Sequence, residues 1–387
     1  MSGSSDRPQR ALRVMWLGTY ERDYPRTRVL IEGLRARGVE VVERHRPVWE
    51  RHRHKSGGGF VQPRRLAANA GRFLAAWLRV APRALARRPR PDAVVVGYPA
   101  QPDVVAGWAV ARALRVPLVV DMLVSLADPF AGDRGLVGRR LGALLARVDR
   151  LALSLADIVV CDTDAHALFF HERFSVPWGK LVVCPVGAQP GLFAPAPRPT
   201  EGAVHALFYG KLSPLHGLET LLAAARAPGV PPVRVVGDGQ LGGWLAGELE
   251  RDRPRGFSWE RWVPYERLAG ELAGADICLG VFGTSDKAAR VVANKVWQAM
   301  AVGRPIVTAD TPGAREVLRD GESALLVPPG DAPALAAALR RLAGDAALRE
   351  RLADGARAEF VRRGLPAVVA QPLERALRCD PRIGGAR

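Results

Sequence analysis

Two basic residues follow a strand-like segment in the second half of the chain, in a pattern suited to binding phosphate. A predicted strand ends at Gly210, Lys211 follows at once, and His216 stands where the next helix is predicted to begin. A cation beyond a strand and another at a helix N-terminus can hold a diphosphate between them. The alternatives are a solvated loop lysine and a histidine that caps or packs against the helix. The pattern therefore indicates an anion site and leaves a structural role open.

A second segment, residues 279–318, contains a glycine-bearing loop, an amphipathic helix, a strand and a loop that opens another helix. Gly303 is expected to end the amphipathic helix. Glycine loops beside helix N-termini offer unpaired backbone N–H groups and the positive end of the helix dipole, which suit phosphate and sugar hydroxyls. Ordinary packing of helices on a sheet is the alternative, but the nearby Lys211 and His216 favour a binding site.

A third glycine-containing turn, Gly237-Asp238-Gly239, also follows a predicted strand. Together with Gly242 it has the spacing of a dinucleotide-binding fingerprint. That fingerprint needs an acidic residue at the end of a following strand, about 20 positions further on, and no predicted strand ends in an acidic residue there. A nicotinamide-dependent enzyme is therefore not expected.

These loops belong to a chain in which strands and helices alternate, which predicts the α/β class with parallel sheets. The best-defined elements are one helix and three strands, over Val104–Leu114, Ala206–Tyr209, Val233–Val236 and Ile277–Leu279. A segment rich in proline and glycine, residues 189–203, is predicted to be a linker. We expect one domain over residues 1–188 and another over 204–387, with the last helix able to pack back on the first. The cleft between them is the expected ligand site.

Composition restricts the class of protein. Of the 387 residues 48% are apolar, which suits packed cores and excludes a disordered chain. No run approaches the roughly 18 apolar residues that a spanning helix needs, and the N-terminus does not resemble a signal peptide. The four cysteines are scattered without metal-like spacing and suit reduced core residues. We therefore expect a cytoplasmic protein.

Positive charge is concentrated in one segment. The net charge is +17, and residues 44–90 contain thirteen basic residues and one acidic residue, Glu50. Within residues 63–90, arginines are interleaved with leucines, Phe73 and Trp77, which is typical of a helix that lies on an anionic membrane. A core-packed helix with a solvated basic face is the alternative. No nucleic-acid-binding motif accompanies the charge, so a nucleic-acid partner is not expected.

Taken together, these segments resemble glycosyltransferase family 4, whose members are retaining nucleotide-sugar transferases of the GT-B fold. The resemblance covers most of the chain and is strongest from residue 208 to 330. Family members carry Gly-Arg after a strand and Lys-Gly five residues beyond that arginine, and both cations bind the donor diphosphate. Here Lys211 and His216 occupy those positions, so the spacing is kept while both residue types differ.

The family also carries two glutamates separated by seven residues, the second of which opens Glu-Ala-Met-Ala-x-Gly-x-Pro. This chain has the matching run from Gln298 to Pro305, QAMAVGRP, in which Gln298 replaces the glutamate that usually binds the nucleotide ribose. Arg290 stands where the sugar-contacting first glutamate would lie. The chain resembles a subgroup with a basic loop in this place, so Lys287, Arg290 and Lys295 are candidates to bind phosphate or a charged sugar.

The resemblance implies two Rossmann-like domains, the first binding the acceptor and the second the donor. It assigns catalytic roles to Lys211 and His216, which would stabilise charge on the leaving phosphate, and to Asp121 on the acceptor side. Donor contacts are assigned to Gly18, Gly210, Gly237, Gly283, Thr284, Lys287, Arg290, Asn294, Lys295, Gln298 and Glu316. The leaving diphosphate itself takes the acceptor proton, and neither a metal nor another cofactor is expected.

The expected partners are a nucleotide diphosphate sugar and a glycan or lipid-linked acceptor. Residues 44–90 would place the protein on the inner face of an anionic membrane. The departures at Arg290 and Gln298 leave open a catalytically silent homologue. A GT-B-like sugar-nucleotide epimerase or a basic binding protein is the third possibility.

Overall fold

The structure is a computed structural model that describes residues 10–48, 63–128, 138–197 and 203–384. Each half of the chain forms one parallel β-sheet whose strands are connected by helices. The predicted α/β class with two parallel sheets is confirmed.

The first sheet has six strands, connected by five helices. The strands are β1 (Arg13–Gly18), β2 (Glu40–His45), β3 (Ala93–Val96), β4 (Leu118–Asp121), β5 (Ile158–Cys161) and β6 (Leu181–Val183). The helices are α1 (Pro25–Ala36), α2 (Pro63–Leu85), α3 (Val104–Leu114), α4 (Arg139–Leu155) and α5 (Asp164–Phe174). The strand order is β2-β1-β3-β4-β5-β6, and every neighbouring pair is parallel.

The second sheet also has six strands, in the order β12-β11-β10-β7-β8-β9 with parallel pairing throughout. They are β7 (Ala206–Tyr209), β8 (Val233–Val236), β9 (Phe257–Glu260), β10 (Ile277–Leu279), β11 (Ile306–Ala309) and β12 (Leu325–Val327). The helices are α6 (Leu218–Ala225), α7 (Gly242–Arg251), α8 (Leu268–Gly274), α9 (Asp286–Arg290), α10 (Asn294–Val302), α11 (Pro312–Arg315), α12 (Ala332–Gly344), α13 (Ala346–Arg363), α14 (Pro366–Cys379) and α15 (Pro381–Gly384).

Both sheets are buried on two faces, which explains why most of their inner strands are nearly continuous apolar runs, whereas the edge strands β2 and β9 are not. In β1, Met15 and Leu17 belong to one hydrophobic core, while Val14 and Trp16 belong to another. Alternate residues of a strand point to opposite faces, so each sheet separates two cores. Because both faces of each sheet are covered, a ligand can reach the sheet only at its edges and ends. The loops at the carboxyl ends of the strands are therefore the expected binding region.

Local signals in the sequence set the helix ends. Gly303 has a φ of +76° and ends α10 in the left-handed conformation, as predicted. Asp331 accepts a hydrogen bond from the backbone N–H of Ala334 at 2.8 Å and caps α12. Thr163 caps α5 in the same way through the N–H of His166, at 3.0 Å.

The chain crosses between the two halves at two places that touch each other. The described part of the first crossing, residues 189–197, packs against the second half, where the backbone N–H of Ala196 donates to the carbonyl of Val302 at 3.3 Å. The second crossing lies between α13 and α14, and α14 returns to pack against α1 of the first half. Ala188 N–H donates to the Gly364 carbonyl at 3.3 Å, which joins the two crossings.

Candidate functional site

A cavity of about 670 Å³ opens between the two sheets. Its first wall consists of loops that follow β1, β3, β4 and β5, together with part of α4. Its second wall consists mainly of the loop after β7 and the start of α10. The cavity therefore lies at the carboxyl ends of strands in both sheets, where open α/β sheets bind ligands.

Within the described residues, every basic side chain that lines this cleft belongs to the second wall. These residues are Lys211, His216, Lys287 and Lys295. The predicted residues Gly210, Asn294 and Gln298 line the same cleft. The structure thus brings together residues that are spread over almost ninety positions of the sequence.

Lys295 is the most unusual of these groups. Its side chain is buried, with 5% exposure, and its Nζ lies 3.5 Å from the centroid of the Phe208 ring. This nitrogen has no hydrogen-bond partner. Burial holds the pKa of Lys295 well below the ordinary lysine value of 10.5. Since buried polar groups are normally paired, an unpaired amine in a cleft indicates a ligand that supplies the partner.

Two glycines make room for Lys295. Gly210 has a φ of +139°, and a Cβ at that position would lie 3.2 Å from both Cε and Nζ of Lys295. Gly237 has the same φ, and a Cβ there would lie 1.9 Å from the carbonyl oxygen of Gly210. Gly237 therefore supports the Gly210 loop from behind and does not line the cleft. A side chain at either position would be strained and would displace the lysine or its loop.

Lys211 and His216 lie on the loop between β7 and α6. Lys211 is exposed, and the backbone N–H of Leu212 donates to the Asp238 carbonyl at 3.1 Å, which fixes the loop. His216 is buried, and its Nδ1 lies 3.3 Å from Oγ of Ser213. The His216 ring also packs against Phe208 at 5.6 Å between centroids. Phe208 therefore contacts two of the basic residues of the second wall.

Helix α10 begins at the cleft. Its N-cap residue, Ala293, has no side-chain group to accept from the first N–H groups of the helix. Asn294 follows, and its Nδ2 donates to the Tyr24 hydroxyl at 3.4 Å, while its Oδ1 is buried without a hydrogen-bond partner. The positive end of the helix dipole therefore lies next to Lys295.

Gln298 is held between two tyrosines. The Tyr209 hydroxyl donates to Oε1 of Gln298, and Nε2 of Gln298 lies 3.1 Å from the Tyr265 hydroxyl, to which it donates. Burial raises the pKa of Tyr265 to about 12, so its hydroxyl is protonated at neutral pH. Both ends of the Gln298 amide are thus engaged by side chains that line the cleft.

The first wall is mostly apolar. Its lining includes two tyrosines whose rings contact each other in a tilted arrangement, and a set of aliphatic side chains, namely Tyr24, Tyr98, Pro99, Leu123, Val124, Leu126, Leu141 and Leu145. Glu21 and Asp162 are its two carboxylates among the described residues. Oδ1 of Asp162 lies 2.6 Å from Nδ1 of His166, and both residues are buried.

Asp121, assigned a catalytic role from the sequence, lies outside the cleft. It ends β4 as predicted, but its side chain is 1% exposed and its Oδ1 accepts from Nε of Arg26 at 2.8 Å. Arg26 belongs to α1 and also donates to the Cys184 carbonyl at 2.8 Å. The position of a residue at a strand end does not determine which face of the sheet its side chain meets. The sequence interpretation is corrected here, because Asp121 faces α1 inside the protein.

Arg290 and Glu316 contact the first half of the chain and do not line the cleft. The Arg290 guanidinium donates to Oδ1 of Asp128 at 2.9 Å and lies 3.9 Å from the centroid of the Phe169 ring. The Glu316 carboxylate accepts the first two backbone N–H groups of α5 at 2.7 and 2.8 Å. Both residues therefore join the two halves of the molecule, where the sequence predicted contacts to the donor.

Comparison with known proteins assigns both halves to one family. Residues 25–187 match the glycosyl transferase 4-like domain, and residues 203–345 match the glycosyl transferases group 1. The chain belongs to the family 4-like GT-B glycosyltransferases. The predicted family and the GT-B fold are thereby confirmed.

Individual relatives of the chain match more loosely. A D-inositol 3-phosphate glycosyltransferase of Nocardioides sp. is 32% identical over 229 residues, which are 52% of this chain and 49% of that protein. The chain thus spans about half of that relative's length. A sucrose-phosphate synthase of Thermosynechococcus elongatus has the same fold over 95% of this chain and 98% of its own, with a TM-score of 0.72 and 17% identity. The Anabaena HepE protein in complex with UDP and glucose covers 95% and 100%, with a TM-score of 0.67 and 16% identity.

Three further residues predicted from the family pattern do not line the cleft. Gly18 packs against Asp103, because a Cβ on Gly18 would lie 2.3 Å from Oδ2 of that residue. Gly283 packs against the backbone carbonyl of Leu215, at 2.4 Å from the equivalent Cβ position. Thr284 is exposed. These residues shape the loops around the site.

Sequence reasoning missed two buried aspartates that organise the first wall. Asp103 accepts from the backbone N–H of Thr19 at 2.6 Å and from the Trp77 indole at 2.7 Å, and burial raises the pKa of Asp103 to about 7. Asp149 accepts from Leu126 N–H at 2.9 Å, and burial raises the pKa of Asp149. In the sequence, Asp103 has only the position of a helix cap before α3. Asp149 is an acidic residue within an amphipathic helix, which is only a weak indication of a buried role.

The part of the chain that the structure describes contains no group of three or more His, Cys, Asp or Glu placed to hold a metal ion. No helix in the same residues combines the length and apolarity needed to cross a bilayer. Cys161, Cys184 and Cys278 are buried free thiols, and Cys379 is an exposed one.

Proposed function

We propose that this protein transfers a glycosyl group from a nucleotide diphosphate sugar to an acceptor hydroxyl, with retention at the anomeric carbon. The observation that carries the proposal is Lys295, a buried amine in the cleft without a hydrogen-bond partner. A diphosphate would supply the missing negative charge and would return the pKa of Lys295 towards its ordinary value. Lys211, His216 and the N-terminus of α10 lie on the same wall and favour the same ligand.

The proposed reaction needs charge stabilisation more than it needs a strong base. The bond between the anomeric carbon and the diphosphate breaks, and a bond to the acceptor oxygen forms on the same face. The acceptor proton passes to the departing phosphate oxygen. Negative charge grows on the diphosphate as its bond breaks, and Lys211, His216 and Lys295 would stabilise that charge. Lys295 would act more strongly than the exposed Lys211, because burial excludes the water that screens Lys211.

We assign the donor ribose to the region of Tyr265 and Gln298. Both polar groups of the Gln298 amide are already engaged by tyrosines, so the amide orients Tyr265. The protonated Tyr265 hydroxyl lines the cleft and can hydrogen-bond a ribose hydroxyl. In this proposal Gln298 keeps the place of the family's glutamate and positions the group that contacts the sugar ring.

Calorimetric titration with nucleotides tests the donor site. We expect one of UDP, GDP and TDP to bind at least about 10-fold more tightly than its monophosphate, because charge-assisted hydrogen bonds to the second phosphate are added. Lys295→Met keeps the size of the side chain and should lose most of that difference. Lys180→Met is the matched control, since Nζ of Lys180 donates to the Ala156 carbonyl at 2.8 Å in the first half. Failure of all three diphosphates to bind would refute the proposal.

A catalytically silent homologue is the second candidate, and one observation favours it. Within the described residues, the second wall contains no carboxylate, because Gln298 and Arg290 replace the family's two glutamates and Arg290 is turned towards Asp128. Hydrolysis of the nucleotide sugar whose base binds best separates the two candidates. Nucleotide binding without release of free sugar, with or without added membranes, would support the silent homologue.

We also propose that helix α2 attaches the protein to an anionic membrane. Leu74 and Leu78 are 63% and 68% exposed, and the exposed Arg72, Arg79 and Arg83 are on the same helix. Of the two predicted aromatic residues, Trp77 is buried and Phe73 is half-buried, so the fully exposed part of the stripe consists of leucine and arginine. Residues 49–62 of the basic segment lie outside the described part of the chain. An acceptor presented at the membrane, lipid-linked or glycan, fits this arrangement.

Co-sedimentation with vesicles tests the membrane proposal. We expect the protein to sediment with vesicles that contain phosphatidylglycerol and to remain in solution with pure phosphatidylcholine. The double substitution Leu74→Ser and Leu78→Ser should weaken sedimentation, whereas Val361→Ser, at a 47% exposed site in α13, should not. Equal sedimentation with both kinds of vesicle would contradict the proposal.

A further inference from the structure

The two walls of the cleft differ in charge in a way that bears on the acceptor. The four basic side chains that line the cleft all belong to the second half of the chain. Among the described residues, the first wall contains no Lys, Arg or His, and its charged groups are the carboxylates of Glu21 and Asp162. If the donor diphosphate binds to the basic wall, the acceptor faces the other one.

The first wall is apolar because buried side chains engage the polar groups of its loops. Asp149 is fully buried and accepts hydrogen bonds from Ser125 Oγ at 2.9 Å and from the backbone N–H groups of Leu126 and Ala127 at 2.9 and 3.0 Å. These polar groups of the loop after β4 are therefore turned away from the cleft. What the loop presents to the cleft is aliphatic, namely Leu123, Val124 and Leu126.

Gln101, which also lines the cleft, is engaged by the same network. Its Nε2 donates to the Val124 carbonyl at 2.7 Å and lies 3.1 Å from Oδ1 of Asp149. The polar atoms of this part of the wall are thus paired with one another. An acceptor that docks here meets carbon surface and a few fixed dipoles.

Helix α4 extends this surface out of the cleft. Leu141 and Leu145, four residues apart on one helical face, line the cavity. Leu144 and Leu151 lie on the outer side of the same helix and are 52% and 50% exposed. An apolar group can therefore pass from the outside of the molecule along α4 to the cleft without crossing a charged side chain of the lining.

We infer that the acceptor is a molecule with an apolar body and without phosphate, seated against Leu126, Leu141 and Leu145. This inference rests on the proposed function, which places the donor on the opposite wall. An acceptor phosphate would have to be buried beside Glu21 and Asp162 without a described cation on its own wall, which is unfavourable. The acceptor of this protein therefore differs in chemistry from the inositol phosphate in the name of the Nocardioides relative.

Binding of matched sugars to the nucleotide-saturated protein tests the inference. The probes are octyl β-glucoside below its micelle concentration, glucose and glucose 6-phosphate, measured by calorimetry in the presence of the diphosphate that binds best. We expect octyl glucoside to bind at least about 10-fold more tightly than glucose, and glucose 6-phosphate to gain nothing over glucose. Tighter binding of the phosphorylated sugar, or no gain from the octyl chain, would overturn the inference.

Two leucines provide the matched variants. Leu145→Arg places a cation in the wall and should weaken octyl glucoside binding about 10-fold, while Leu168→Arg, at a 43% exposed site in α5 that does not line the cleft, should leave it unchanged. Equal effects of both variants would show that the octyl chain binds elsewhere. If no nucleotide binds, the proposed function fails. Octyl glucoside binding to the free protein then still tests whether the first wall binds an apolar group.

A final arm identifies the source of the apolar body. Vesicles of phosphatidylcholine that contain dioleoylglycerol are added to the protein with bound octyl glucoside. Displacement assigns the wall to a membrane lipid that carries a free hydroxyl, and retention assigns it to a soluble apolar aglycone.

Discussion

The two walls of the cleft are built by different means. The second wall places Lys295, Lys211 and the start of α10 through short backbone features, chiefly the close approach of Gly210 and Gly237. The first wall is organised from behind by three buried aspartates, Asp103, Asp121 and Asp149, none of which lines the cleft. Basic side chains thus line the cleft on one side, while three carboxyl groups are enclosed in the protein behind the other side, whose lining contains the carboxylates of Glu21 and Asp162.

This difference suggests a division of tasks. Charge develops on the leaving group in glycosyl transfer, so the wall that holds the leaving group needs exposed or ligand-seeking cations. The acceptor wall needs a fixed shape, and buried carboxylates that accept several hydrogen bonds provide it. Substitutions in either wall test this division of tasks.

The largest effect is expected for the ion pair behind the first wall. Asp121→Asn removes the charged partner of the fully buried Arg26, which should lower the free energy of unfolding by about 3 kcal/mol. Turnover per folded molecule should change little, because neither residue lines the cleft. Chemical denaturation and kinetic assays on the same sample measure both quantities.

The partly exposed pair Arg13–Glu40 in the same sheet is the control for this experiment. Glu40 is 43% exposed, so Glu40→Gln should cost less than about 1 kcal/mol. A loss of turnover in Asp121→Asn at unchanged stability would restore the catalytic role that the sequence suggested for Asp121.

On the second wall, Lys211→Ala should reduce kcat about 100-fold, because a cation beside the leaving phosphate is lost. The free energy of unfolding should change by less than about 0.5 kcal/mol, since Lys211 is exposed. Lys211→Arg should keep most of the activity, as it preserves the charge. Parallel loss of stability and activity in the alanine variant would make Lys211 a structural residue.

Lys295 should make nucleotide binding depend on pH. Burial lowers the pKa of Lys295 in the empty cleft, and a bound diphosphate should raise it. At pH values between the pKa of the empty protein and that of the complex, nucleotide binding therefore takes up a proton. In that interval the dissociation constant should increase about tenfold per pH unit. Titrations in buffers of different ionisation enthalpy measure the proton uptake, and Lys295→Met should abolish this part of it.

Lys295 should also make the stability of the protein depend on pH, in the opposite direction: nucleotide binding weakens as the pH rises, whereas the free energy of unfolding increases. The unfolded chain retains the Lys295 proton up to about pH 10.5, whereas the folded protein releases it at lower pH. Folding therefore releases a proton between these values, and the free energy of unfolding rises with pH there. Lys295→Met should remove that slope, and an unchanged slope would mean that the amine is solvated in the folded protein.

The smallest effect is expected where the two walls meet. Arg290 and Asp128 form an ion pair 14% and 15% exposed, so a double-mutant cycle with Arg290→Gln and Asp128→Asn should give a coupling energy of about 1 kcal/mol. Turnover should fall only a few-fold in each variant, through looser contact between the halves. A loss as large as that of Lys211→Ala would show that Arg290 acts on the donor after all.

The sequence predicted the fold well where local patterns determine it. The helix Val104–Leu114 and the strands Ala206–Tyr209, Val233–Val236 and Ile277–Leu279 have the predicted bounds, because their apolar runs are interrupted at once by loop residues. Strand Phe257–Glu260 was not predicted. It lies at the edge of its sheet, where only Phe257 is buried, so it lacks an apolar run.

The site was predictable only where its spacing is local. Lys211 and His216 lie five positions apart on one loop, and a family pattern finds them. The partners of Arg290 and Asp121 are 162 and 95 positions away in the sequence, and no pattern within one segment specifies such pairs. The sequence identified Lys295 as a candidate basic ligand, but its burial and its missing hydrogen-bond partner depend on Gly210 and Phe208. These residues are distant from Lys295 in the sequence and lie next to it only in the folded protein.

The contact between Ala188 and Gly364 has a mechanical consequence. Both passages of the chain from one half to the other run through this one place, where a single backbone hydrogen bond ties them together. Because both connections pass this place, we expect torsion changes near Ala188 and Gly364 to rotate one half against the other once the contacts of Arg290 and Glu316 across the halves are released. The width of the cleft would then change most at the end farthest from this contact.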